Sequence, residues 1–193
     1  DIGFQNLSRA LMSGIPVKIM VLDTQVYSNT GGQACTSGFI GQVSDMAPYG
    51  KAWKGKEEIR KEMGLIGIAH RSAYVLQGST SNVTHLLEGY IAGLNSRRPA
   101  LFNVYSPCQP EHGIADHASA LHSKLAVESR AYPLFRFDPK RIAKGENPLH
   151  LDSAEPSIPY RDFVQSETRF NILWRTHPTE AEQFLEQAQM DIR

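Results

Sequence analysis

Apolar positions along the chain switch repeatedly between two spacings. In residues 4–13, Leu7, Leu11 and Met12 fall at helical spacing, and Gly14-Ile15-Pro16 supplies a glycine stop followed by a proline, so the pattern predicts a helix that ends there. Residues 17–22, Val-Lys-Ile-Met-Val-Leu, form a nearly continuous apolar run of the kind found in a strand covered on both faces of a parallel sheet. The alternation then recurs, with helices predicted over 56–70, 82–95 and 115–130 and strands over 73–76, 100–105 and 133–137. This order predicts an α/β fold, doubly wound around a mostly parallel sheet. After Asp138-Pro139 the pattern changes. Pro148, Pro156 and Pro159 punctuate a stretch poor in apolar residues, so 140–159 reads as an extended, irregular arm. A last helix is predicted over 179–191, with Thr179 as N-cap and Glu180 and Glu182 in its first turn. The expected organisation is a domain over 1–139 and an arm with a C-terminal helix over 140–193.

Composition narrows the class of partner more than the fold. The chain has 193 residues, 41% of them hydrophobic and 21% charged, enough for one globular core. Its 20 basic and 20 acidic residues cancel, so no net field draws it to nucleic acid or to an anionic membrane. No apolar run approaches the roughly 18 residues of a membrane span. Cys35 and Cys108 are too few for a disulfide scaffold, which points to a reducing, cytoplasmic setting. The sequence opens on Asp1, with no basic or apolar leader after it, and is expected to be a piece of a longer polypeptide that completes its chemistry elsewhere.

In open α/β sheets, ligands bind beyond the carboxyl ends of the strands, and residues 23–33, Asp-Thr-Gln-Val-Tyr-Ser-Asn-Thr-Gly-Gly-Gln, fall at such an end. Short oxygen-bearing side chains and a Gly31-Gly32 pair able to turn amides toward an anion suit a diphosphate with a hard cation. Mg²⁺ prefers six oxygens, and a hydroxyl and a carbonyl two residues apart supply two of them. By spacing alone, the loop reads first as a plain hydrophilic turn. Each cysteine reads first as a small buried hydrophobe. Cys108 also follows a predicted strand, on the rim that carries Thr24 and Asn29. His112, Asp116, His117 and His122 invite a metal reading, but histidines five apart share no helix face, so no zinc pair is expected. The mixed-sign run 51–61 reads as a solvated loop and helix start, and Arg71, Arg97 and Arg98 as surface.

The stretch from Leu22 to Gln33 resembles the thiamine diphosphate motif of the pyruvate:ferredoxin (flavodoxin) oxidoreductases, a family of 2-oxoacid oxidoreductases. Ser106-Pro107-Cys108, with His112-Gly113-Ile114 shortly after, is similar to the family's Ser-Pro-Cys segment, and the likeness continues through Lys124–Ser129 and Tyr132–Pro139. The resemblance implies a sheet of the thiamine diphosphate-binding type and three cofactors: thiamine diphosphate, Mg²⁺ and a 4Fe-4S cluster. It places Thr24, Gln25, Val26, Tyr27, Ser28 and Asn29 at the cofactor. Thr24 Oγ and the Val26 carbonyl would be Mg²⁺ ligands, beside an aspartate from a Gly-Asp-Gly expected upstream of Asp1-Ile2-Gly3. Asn29 would stand at the reactive end as the catalytic residue. Cys108 would be the last ligand of the cluster, its partner cysteines lying outside this chain. The implied reaction is oxidative decarboxylation of pyruvate with coenzyme A to acetyl-CoA and CO₂, electrons leaving through iron-sulfur clusters to ferredoxin or flavodoxin. The remaining domains of a homodimeric enzyme are the implied partners, and the segment alone is expected to be inactive and to bind the cofactor poorly. Two departures, the segment after Gln33 and the additional Gln109-Pro110, leave room for another 2-oxo acid. A reading from a different class is a non-catalytic docking scaffold.

Overall fold

A computed structural model describes residues 2–44 and 54–192. In chain order the elements are α1 (Phe4–Met12), β1 (Lys18–Asp23), β2 (Val26–Tyr27), β3 (Gln33–Ala34), α2 (Met63–Ala69), β4 (Tyr74–Ser79), α3 (Val83–Leu94), β5 (Ala100–Tyr105), α4 (Gln109–His112), α5 (Ser119–Glu128), β6 (Phe135–Phe137), β7 (Leu149–Leu151), α6 (Tyr160–Gln165), α7 (Thr168–Thr176) and α8 (Pro178–Asp191). They form two compact units, neither of them a continuous stretch.

The first unit takes Asp1–Asp23, Glu62–Ser106 and Pro133–Ala154. Its sheet has the order β1-β5-β4-β6-β7. β1, β5 and β4 are parallel, with Lys18 and Tyr74 both opposite Ala100, while β6 and β7 run antiparallel. Every residue of β4 and β5 is buried, as expected of strands covered on both faces. β1 departs from that expectation. It is an edge strand among the described residues, with Met20 53% and Leu22 59% exposed.

One face of the sheet packs Val75, Leu101, Phe135 and Phe137 against Leu7 and Leu11 of α1 and Met63 and Ile68 of α2. The opposite face packs Tyr74, Leu76, Phe102 and Val104 against Leu86 and Tyr90 of α3. Helices on both faces of a mostly parallel sheet make the doubly wound fold that the alternation predicts. Close approach of α3 depends on glycine. A Cβ at Gly93 would land on the Phe102 ring, and one at Gly89 on Leu76.

Two expectations fail here. The helix predicted over 56–70 shrinks to α2, because the backbone before it makes other bonds: Lys56 N–H donates to Gln42 O at 2.9 Å and Lys61 N–H to Thr36 O at 2.7 Å. The arm predicted over 140–159 contains a 3-10 turn, Ile142–Lys144, and then β7, which pairs with β6 across the expected boundary at 139. At three residues, Leu149-His150-Leu151, this strand is too short for an alternating pattern to stand out. Bidentate contacts from Arg136 on β6 to Asp152, at 2.6 and 2.9 Å, and a 3.0 Å contact from His85 of α3 to the same carboxylate hold this side together.

The second unit takes Thr24–Lys61, Pro107–Tyr132 and Glu155–Arg193. It has one two-stranded hairpin, β2-β3, and five helices among the described residues. The helix predicted over 115–130 is trimmed to α5 and preceded by α4; the helix predicted over 179–191 is α8, whose N-cap is His177 rather than Thr179, and α6 and α7, which the pattern does not predict, precede it. α6 and α7 are only six and nine residues long, too short for a helical period to stand out. Val43, Leu173 and Ala181 form one core with Ile172, Trp174 and Phe184. Phe39, Tyr160 and Phe163 stack into another, with ring centroids 5.7 to 5.9 Å apart. The charged run is not simply solvated: Lys56 is buried with its amino group on the Glu58 carbonyl, and Arg60 lies over the Phe39 ring at 4.7 Å. Residues 51–53 of that run lie outside the described residues.

Candidate functional site

The second unit opens at Thr24. The Thr24 hydroxyl donates to the Val26 carbonyl at 2.8 Å, so the two oxygens expected to share a cation already converge. In an octahedron with Mg–O distances of roughly 2.0–2.1 Å, adjacent oxygens lie roughly 2.9 Å apart, so the pair fits one edge of that shell. What brings them together is the residue between. Gln25 has φ +58°, the left-handed region that disfavours a residue with a Cβ by roughly 1–2 kcal/mol. Gln25 is also 1% exposed.

From Val26 the chain enters the hairpin, Val26 pairing with Ala34 and Tyr27 with Gln33, which makes residues 28–32 its turn. Asn29 is exposed at the tip. Tyr27 and Ser28 are half-buried, and Ser28 Oγ is a buried polar atom with no hydrogen-bond partner among the described residues. The glycine pair does not do what the sequence suggests. Gly31 N–H donates to Ser28 O at 3.2 Å and Gly32 N–H to Tyr27 O at 3.1 Å, so both amides close the turn rather than face an anion. The Glu111 carboxylate lies against Gly32, where any Cβ would collide with it. Neither glycine amide is thus left to form an anion cradle at this turn.

Cys108 is half-buried and stands at the N-cap of α4. Its carbonyl accepts from His112 N–H at 2.9 Å, and the His112 ring donates from Nε2 to the Thr24 carbonyl at 2.8 Å. One histidine thus ties the turn that carries Cys108 to the loop that carries Thr24. Cys35 is half-buried rather than buried, its Sγ 3.1 Å from Ser37 Oγ.

Behind this pair lies a group the sequence does not reveal. Glu167, fully buried, accepts from the Arg169 guanidinium on both oxygens and from His122 Nε2 at 2.7 Å, with His112 Nδ1 3.8 Å away. Burial alone would raise the Glu167 pKa, but Arg169 and the two histidines outweigh it and hold it at about 2. Burial, with Arg169 adding to it, pushes His112 down to about 4, so this ring is neutral near pH 7. His112, His122 and Glu167 have potential ligand atoms within 4.8 Å of one another. Yet the guanidinium already covers the carboxylate, and a dication would face it across a low-dielectric interior, so the cluster is an ion-pair network and not a metal centre. The helix-face rule fails to find it because His112 and His122 come from α4 and α5 and meet only in the tertiary fold. Asp116 and His117 are exposed and stand outside it. Arg169 reaches further, donating to Gln25 Oε1 at 3.0 Å, while Gln42 Nε2 donates to the Gln25 carbonyl at 3.3 Å.

A cavity of about 100 Å³ beside the hairpin is lined by Val26, Gly32, Glu111, Thr168 and Arg169, among others. Small-molecule sites usually enclose roughly 300–1,000 Å³. This cavity is smaller than that range.

No family model matches the chain. Over all of its length it is 35% identical to a pyruvate:ferredoxin oxidoreductase of Moorella thermoacetica and 34% identical to a pyruvate-flavodoxin oxidoreductase of Trichormus variabilis, and it spans 16% of the length of each. It is 30% identical, over 94% of its length and 10% of the relative's, to a mitochondrial pyruvate dehydrogenase [NADP(+)] of Euglena gracilis. A solved 2-oxoglutarate:ferredoxin oxidoreductase from Magnetococcus marinus matches 86% of the chain and 55% of its own, with a TM-score of 0.51 and 15% identity, a likeness of fold. The chain belongs with the pyruvate:ferredoxin and pyruvate-flavodoxin oxidoreductases, of whose length it corresponds to about one sixth.

Proposed function

We propose that this chain is the segment of a pyruvate:ferredoxin or pyruvate-flavodoxin oxidoreductase that anchors Mg²⁺ and the diphosphate of thiamine diphosphate. The observation that carries this reading is the 2.8 Å convergence of Thr24 Oγ and the Val26 carbonyl, enforced by a left-handed Gln25. Thr24 and Val26 would each give one oxygen to the cation. The buried Ser28 hydroxyl and the neighbouring Tyr27 would supply further contacts to the diphosphate side, and the exposed Asn29 would face the substrate. When bound, the thiazolium supplies the carbanion chemistry of decarboxylation. The chain's own residues hold and orient it, and none is assigned as an acid or base.

Cys108 would give one thiolate to a 4Fe-4S cluster whose other ligands come from elsewhere in the enzyme. Its place one hydrogen-bonded residue away from Thr24 supports a short path between thiamine and cluster. The whole reaction is then pyruvate and coenzyme A to acetyl-CoA and CO₂, with electrons passed to ferredoxin or flavodoxin, in a homodimeric cytoplasmic enzyme. The fold shared with a 2-oxoglutarate enzyme supports a second reading, in which the substrate is another 2-oxo acid. Turnover of the full-length enzyme with pyruvate against 2-oxoglutarate separates the two. Expressing that enzyme as Cys108→Ala and measuring iron tests the thiolate: the proximal cluster is lost on this reading, and an unchanged iron content contradicts it.

A further inference from the structure

The feature left unexplained by the function is why a buried glutamine sits in a backbone conformation that glycine would take more easily. Non-glycine residues persist in such regions when their surroundings over-determine them, and Gln25 is over-determined. Its side-chain oxygen accepts from Arg169, its carbonyl accepts from Gln42, and the carbonyl before it accepts from His112. Arg169 in turn is fixed by Glu167, and its own carbonyl accepts from Val43 N–H at 3.0 Å, which pins the segment carrying Gln42. Both anchors of Gln25 therefore lead back to one buried arginine.

We infer that Arg169, seated on Glu167, and Gln42 are positioning residues that hold Gln25 left-handed and so aim the Thr24 hydroxyl and the Val26 carbonyl at one point. The inference rests on the reading of this loop as a cation and diphosphate anchor. A glycine at position 25 would reach the same angle with less strain but would lose the side chain that Arg169 grips. The glutamine trades local strain for a conformation locked from within, which leaves the two oxygens preorganised before any cation arrives.

The test is Mg²⁺-dependent binding of thiamine diphosphate to the full-length enzyme by calorimetry, with Thr24→Val, Gln25→Ala, Gln25→Gly and Arg169→Met. Gln25→Ala loses the anchor and keeps the penalty on a left-handed Cβ, so it binds about tenfold more weakly than wild type. Gln25→Gly falls between the two. Arg169→Met weakens binding more in the wild-type background than in Gln25→Gly, because only the loosening of its buried ion network, and not its grip on the Gln25 side chain, remains to be lost in the latter. Gln25→Ala binding like wild type or like Gln25→Gly, or an Arg169→Met effect of equal size in both backgrounds, overturns the inference. Should Arg169→Met fail to fold, the Ala and Gly variants at position 25 decide the matter alone. Thr24→Val serves as the separating control. If it binds unchanged, the loop reading falls and this inference with it; if it weakens binding while Gln25→Ala does not, only the inference falls.

Discussion

The two units differ in what their interiors hold besides apolar side chains. The first is a sheet whose two central strands are buried throughout and whose helices pack through apolar side chains and glycines. The second has a two-stranded hairpin and five helices among the described residues, and beside its own apolar clusters it buries a carboxylate, an arginine and two histidines. Apolar packing is non-directional and tolerates change, whereas a buried ion network fixes atoms in one arrangement and fails sharply when a member is lost. Every candidate site residue from Thr24 to Asn29, together with Cys108, belongs to the second unit. The difference teaches that the precision of the site comes from the costly polar core, and the robustness of the fold from the apolar one.

The sharpest way to break this contrast is to remove one member of the ion network. Arg169→Met leaves Glu167 buried without its main partner, which costs roughly 3–5 kcal/mol and should appear as faster hydrogen exchange across α5 and α7 of the full-length enzyme. The first unit should keep its protection. Next in size is Gly93→Ala, where a methyl forced onto the Phe102 ring costs roughly 1–3 kcal/mol and reverses the pattern, loosening α3 while the hairpin is unchanged. A loss of protection in the second unit from this change would count against the division.

The pH dependence gives a finer test. The Glu167 pKa is lowered from 4.5 to about 2, so the unfolded unit takes up its proton first as pH falls. The stabilisation from the ionised carboxylate is fully present above pH 4.5 and disappears as pH drops toward 2. Local stability of Glu167→Gln relative to wild type should therefore differ most above pH 4.5 and converge toward pH 2. Smallest is Asp152→Asn in the first unit. Losing the charge opposite Arg136 and His85 there costs about 1 kcal/mol, seen as modestly faster exchange at β6 and β7.

How legible each unit is in the sequence follows the same division. The first unit is written in periodicity: β4, β5 and α3 lie where the apolar pattern puts them, give or take a few residues at the ends. β1 misleads because an apolar run reports what a strand could bury, and Met20 and Leu22 are exposed. β7 is invisible because Leu149-His150-Leu151 is too short for its alternation to be told from chance. In the second unit the candidate loop stands out by the motif at Thr24 to Asn29, not by periodicity. Glu167 and Arg169 gave no sign at all, since two charged residues two apart look like surface until the fold buries them. Gln25 is the telling residue. Its role is set by a backbone angle and by partners at positions 42 and 169, and no local pattern encodes either.

The central claim is that Thr24 and Val26 hold a cation for a diphosphate. Calorimetric titration of the full-length enzyme with thiamine diphosphate, with and without Mg²⁺, for wild type and Thr24→Val tests it directly. The account predicts that wild type binds far more tightly with Mg²⁺ and that Thr24→Val loses most of that gain. Binding by Thr24→Val that responds to Mg²⁺ as strongly as wild type would contradict it.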